Sequence, residues 1–161
     1  MQTSQQIQQM VDKARIDYSW RIDLKNEQTD RLSMWYESHA GDFIITPGNF
    51  QMLRSTLEES IKREQALRES GKVYKDLLIK YSSEFDPAWV SSTIEQIDHG
   101  IQISLNDQKG EIENYQTVEK AYLLQSQVAT GSGITIFLVI PFLYYVAYKL
   151  RQYKIVKIES Q

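Results

Sequence analysis

Between Lys120 and Lys149 lie 28 consecutive residues without a formal charge, and no other feature of this chain narrows its fold as sharply. Within that stretch, residues 128–148 number 21, about 31 Å as an α-helix, against a bilayer hydrocarbon core of about 30 Å. Ile134, Phe137 and Ile140, together with Ile136, Leu138, Val139, Phe142, Leu143 and Val146, favour insertion by roughly 3–5 kcal/mol at about 0.3–0.6 kcal/mol each. Pro141, Gly131, Ser132 and Gly133 subtract from that sum. Tyr144, Tyr145 and Tyr148 gather at the basic end, as an interfacial aromatic belt does, and Lys149 and Arg151 can snorkel from there. A buried core helix of a soluble protein would need other segments apolar enough to surround it, and none is. The sequence therefore predicts one transmembrane anchor over 128–148, with the lipid bilayer as its first partner.

Charge argues about sidedness. Residues 1–120 carry 14 Lys+Arg against 20 Asp+Glu, a balance of −6, whereas Lys149, Arg151, Lys154 and Lys157 face Glu159 alone, a balance of +3. The positive-inside rule would leave the basic tail in the cytosol and the acidic body outside. The opening "MQTSQQIQQMVDKARIDY", however, has no apolar core of the kind a secretory signal needs, and long domains follow the charge rule poorly. A tail-anchored arrangement, with the body in the cytosol, is favoured over the body outside. A third arrangement turns a re-entrant hairpin at Pro141, but unpaired backbone at membrane depth survives only where protein shields it.

The acidic body also excludes a nucleic-acid surface, which needs a basic footprint to displace counterions. The absence of cysteine removes disulfides, thiolate nucleophiles and Cys-based metal centres. With 42% hydrophobic and 24% charged residues, the chain is composed like an ordered protein.

Ahead of the apolar stretch the periodicity predicts three long helices. The first runs from about residue 3 to 39, with Ile7, Val11, Ala14, Tyr18, Ile22, Leu32 and Tyr36 near helical spacing. The duplicated triplet in "RIDYSWRID" is a coincidence, because six residues rotate a helix by about 240°. "AGDFIITPGNF" breaks the pattern, with Gly41 placed as a stop and Pro47-Gly48 as turn chemistry. The second helix, from about residue 49 to 82, spaces Leu53, Leu57, Leu67, Tyr74, Leu78 and Tyr81 close to a heptad. Asp86 can cap the third helix, and Pro87 suits its first position. From there Ile94, Ile101, Gln108, Tyr115 and Tyr122 recur every seventh residue, with Val90, Ile97 and Val118 as the alternate seam. Short connections favour antiparallel neighbours. The expected fold is all-α: an elongated antiparallel three-helix bundle or coiled coil over 1–127, a transmembrane helix over 128–148 and a basic tail over 149–161.

Catalytic constellations are scarce. His39 and His99 are the two histidines. His99 follows Glu95 by one helical turn, and Glu58, Glu59 and Glu64 could add carboxylates. A carboxylate-bridged metal site in a bundle wants Glu-x-x-His pairs and four helices; this chain has no such pair, so these read as solvated charges, with no metal and no cofactor. His39 suits a helix end. "TGSG" at 130–133 lacks the Lys of a phosphate loop and reads as a flexible joint or a small-residue packing face. No N-glycosylation triplet occurs. Gln108, polar on an otherwise apolar seam, either faces water through a register offset or sets register from inside. Trp20, Trp35 and Trp89 read as core or bundle-end packing, and Phe43, Ile44 and Ile45 as a loop folded back on the bundle end, or else an exposed contact patch.

The function expected is contact, not catalysis, with no small-molecule substrate evident. The chain is an accessory subunit, tether or adaptor of a membrane assembly, and Ile94, Ile97, Ile101, Gln108, Tyr115 and Tyr122 form the seam for a protein partner or a second copy. The competing readings are an extracytoplasmic sensor or stalk, a small phage-type membrane-lesion or envelope protein, and a carboxylate-metal enzyme.

Overall fold

Each helix of the bundle begins where a side chain satisfies its free amides. Thr3 accepts from the Gln6 amide while the Gln6 side chain accepts from the Thr3 amide, a reciprocal capping box, and α1 runs from there over Ser4–His39. Thr46 caps α2 by accepting from Asn49, with Pro47 in the first turn, and the helix spans Pro47–Lys80. It starts two residues earlier than the turn chemistry of Pro47-Gly48 suggests, because proline at the first helical position gives up no hydrogen bond. A short 3-10 turn, Ser82–Glu84, leads to Asp86. That residue accepts from the Trp89 amide at 2.8 Å and opens α3, Pro87–Glu159. This computed structural model describes the backbone of residues 3–40, 42 and 44–159, and the side chains of residues 3–40, 42 and 44–131. Described residues hold no strand, so the fold is all-α and helical-bundle in kind.

Two compact units divide the chain, Met1–Glu119 and Lys120–Gln161. In the first unit the helices alternate in direction and their seams meet in two apolar clusters. Val11 and Tyr18 of α1 pack with Leu67, Tyr74 and Leu78 of α2 and with Val90 and Ile97 of α3. Toward the other end, Leu32 and Trp35 pack with Leu53 and Leu57, and Tyr36, Ile61, Tyr115 and Val118 close over them. Each fully buried leucine contributes about 1.5–3 kcal/mol through the water it sheds. The stacked rings of Phe50 and Tyr115, 5.7 Å apart, hold the start of α2 against α3.

Close approach around Tyr18 depends on two glycines. A Cβ built on Gly100 would lie 2.5 Å from the Tyr18 hydroxyl, and one on Gly71 would lie 3.0 Å from Tyr18 Cε2 and 3.3 Å from Ile101. Relief at Gly100 requires the Tyr18 ring to move, and that ring also abuts Gly71 and packs with Tyr74. Gly100→Ala is therefore expected to cost about 1–3 kcal/mol through overpacking, more than the roughly 1 kcal/mol that alanine returns in helix propensity. Gly110, with nothing within 4 Å of its added Cβ, supplies the control. Thermal unfolding followed by circular dichroism should show Gly100→Ala melting lower and Gly110→Ala melting no lower than wild type.

The second unit, Lys120–Gln161, continues α3. Its backbone is helical through 130–133, where a flexible joint was one of two expectations, because a helix tolerates isolated glycines at about 1 kcal/mol each. It is helical across Pro141 as well, where a re-entrant hairpin needs a turn. Among the described residues no helix is long and apolar enough to cross a membrane. The anchor expected over 128–148 lies, from residue 132 onward, outside the residues whose side chains are described. Ile134, Phe137, Ile140, Pro141, Tyr144, Tyr148, Lys149 and Arg151 all belong to that stretch.

Candidate functional site

Between the two apolar clusters each helix presents polar residues to the bundle interior. On α1 these are Lys25 and Gln28, on α2 Ser60 and Glu64, and on α3 Ser104 and Glu111, all buried. The positions follow the seams: Ser104 and Glu111 continue the Val90–Ile97 heptad toward Val118, and Ser60 and Glu64 fill the interval between Leu57 and Leu67. Glu64 is 0% exposed and Glu111 8% exposed. Reading Glu64 as a solvated charge is thereby corrected, since its heptad position points it inward whatever its chemistry.

Hydrogen bonds tie the layer across all three helices. Ser104 Oγ donates to Glu64 Oε2 at 2.5 Å, and Ser60 Oγ donates to Glu111 Oε2 at 2.7 Å. Arg68 lies 3.3 Å from Glu64 Oε2 and also donates to Ser104 Oγ at 2.9 Å and to Gln108 Oε1 at 2.7 Å. Lys25 Nζ pairs with Asp107 at 2.5 Å and stands 3.9 Å from Glu64 Oε1. Gln28 donates to the Thr56 carbonyl at 2.9 Å. Gln108 is half-buried in this network, neither freely solvated nor part of the apolar core; the guanidinium of Arg68 is what holds it there.

The layer is not fully satisfied. Glu64 Oε1, Glu111 Oε1, Gln28 Oε1 and the Tyr36 hydroxyl are buried without a hydrogen-bond partner, and each such group raises the energy of the state that holds it. Burial pushes the Glu64 and Glu111 carboxyls above the usual range; their serine donors and Lys25 oppose that, and Asp107 adds to it. Burial, then the Glu111 charge, also lifts the Tyr36 phenol to about 12. All three shifts have the sense expected where low dielectric disfavours the ionised form.

Of the expected seam residues, Ile97 is buried in the first cluster and Ile94 and Ile101 pack against it. Gln108 sits in the polar layer and Tyr115 against the second cluster. Tyr122 falls in the second unit, half-buried. Within the first unit this seam faces the chain's own α1 and α2. Trp35 is buried and stacks on His39 at 4.3 Å, placing His39 at the helix end as expected. Trp20 is 57% exposed on the outer face of α1, a correction to its reading as core, because residue 20 falls off the 11–18–25–32 seam. Ile44 is exposed as well, and Phe43 lies outside the described residues.

The carboxylates considered for a metal do not assemble. Glu58 pairs with Arg54 and Glu59 with Arg63, Glu64 is inside the layer, and Glu95 and His99 are exposed on α3. No group of three or more His, Cys, Asp or Glu among the described residues is placed to hold a metal ion. A shallow groove of about 410 Å³ runs between α1 and α3, floored by Tyr18, Tyr74 and Ile97 and flanked by Trp89 and Arg15.

Compared with known proteins, the chain matches no family model, no curated protein and no solved structure. The polar layer is therefore read from its own chemistry. It holds two buried carboxylates on different helices, with Lys25 and Arg68 within 4 Å of one of them. That arrangement ties α1, α2 and α3 together through side-chain hydrogen bonds and ion pairs.

Proposed function

We propose that the chain is a single-pass membrane protein whose helical bundle works by contact with a protein partner, as an accessory subunit, tether or adaptor. The observation that carries this reading is the 28-residue charge-free stretch between Lys120 and Lys149. Its first residues support it, since Leu123, Leu124 and Val128 are exposed, apolar surface that a bilayer or a partner would cover. The favoured topology keeps the bundle in the cytosol, with residues 149–161 beyond the membrane. A second reading places the bundle outside as a sensor or stalk, and the four cations of 149–161 support that one.

One labelling experiment separates them, because the chain has no cysteine of its own. Ser4→Cys and Ser160→Cys are made separately and treated in intact cells with a membrane-impermeant maleimide, with permeabilised controls. The tail-anchored arrangement is expected to label Ser160→Cys alone, and the outside bundle Ser4→Cys alone. Labelling of neither before permeabilisation, together with release by alkaline carbonate, would sink the anchor altogether.

A further inference from the structure

The charges of the polar layer do not balance when every group is ionised. Lys25 enters from α1, Glu64 and Arg68 from α2, and Asp107 and Glu111 from α3. Those are two cations against three anions, and Tyr36 of α1 is the remaining titratable group facing Glu111. Lys25 and Arg68 both stand within 4 Å of Glu64, whereas Glu111 takes its hydrogen bond from the Ser60 hydroxyl and feels Lys25 only from farther away. One bound proton brings the layer to neutrality. Both carboxylates have a buried oxygen with no hydrogen-bond partner, so each has an acceptor position free to take it.

We propose that Glu64 and Glu111 form a proton-held latch. With one proton on the pair the layer is neutral and α3 is gripped by α1 and α2; when that proton leaves, the grip loosens along residues 101–112. The device sits within the unit Met1–Glu119 and does not depend on the membrane reading. Its sign opposes ordinary acid denaturation. A carboxyl raised in the folded state stabilises it at low pH, and that contribution is lost as pH climbs through the raised value. Water must then reach the ionised carboxylates, and a helix connected to the rest by this layer is the element that yields.

The test is amide hydrogen exchange on the full chain in detergent micelles, corrected for intrinsic exchange, at about pH 5.5 and about pH 8. Wild-type protection over 101–112 is expected to fall about tenfold between these values, while protection over 90–97 in the first cluster changes little. Glu64→Gln/Glu111→Gln, which keeps shape and acceptors but cannot ionise, should abolish the difference. The proposal is overturned if wild type shows no such fall, if both segments lose protection equally, or if the double variant keeps the wild-type pH dependence. Should the double variant not fold, Glu111→Gln alone decides, with an unchanged wild-type profile again counting against the latch.

Discussion

Lys25→Met is expected to destabilise the bundle by about 3–5 kcal/mol near neutral pH, the range for removing one partner of a buried ion pair. The lysine side chain is 10% exposed, paired with Asp107 and 3.9 Å from Glu64. Methionine preserves most of its apolar stem, so lost packing contributes little and lost charge contributes nearly all. Glu64 would then retain Arg68 and Ser104, and the layer would carry one cation against three anions. The deficit should shrink as pH falls, because protonating a carboxyl removes the charge that Lys25 had offset. Chemical denaturation of wild type and variant at two pH values measures both features. A loss under about 1 kcal/mol, the range of solvent-exposed pairs, would mean that Lys25 reaches water and that the layer is wetter than its burial indicates.

Truncating the two apolar clusters should give effects as large and, unlike those in the polar layer, additive. Leu53 and Leu78 are each 0% exposed, one in the cluster around Trp35 and the other in the cluster around Tyr74. Leu→Ala at such a site costs about 2–5 kcal/mol, from lost transfer energy and from the cavity left behind. The polar layer stands between them and they share no neighbour in either cluster, so the double variant should equal the sum of the singles within about 0.5 kcal/mol. Denaturant midpoints with an unchanged slope would establish it. A double variant far from the sum would show that strain passes through the layer, and a broadened transition that the two ends unfold separately.

The contrast between these two results bears on what the layer is for. Replacing a buried ionic cluster with apolar residues is often neutral or stabilising, so a charged layer in mid-bundle is poorly explained by stability. What it does supply is register: an apolar seam can slip by a heptad with little penalty, whereas Lys25, Glu64, Ser104 and Glu111 find partners at one alignment only. The same partners make the layer sensitive to protons.

Much of this was legible in the sequence. Asp86 before Pro87 marks a helix start through a contact within one turn, and the seams from Ile7, Leu53 and Val90 mark the buried faces. The caps of Thr3 with Gln6 and of Thr46 are equally local, but Pro47-Gly48 reads as a turn until the structure shows Pro47 inside α2. Even the polar layer left a trace, since the apolar series lapses in each helix, between Ile22 and Leu32, between Leu57 and Leu67 and between Ile101 and Tyr115. Chemistry alone suggested that Glu64 was solvated; heptad position would have placed it inside. What only the tertiary structure decided is that the three lapses fall at one level. Helix formation and capping depend on residues three or four apart, which the sequence displays directly. The alignment that brings Lys25 to Asp107, Ser60 to Glu111 and Ser104 to Glu64 joins residues 82, 51 and 40 positions apart. It is set by how the apolar clusters and the Tyr18 contact with Gly71 and Gly100 slide the helices past one another, a consequence of packing that no local pattern encodes.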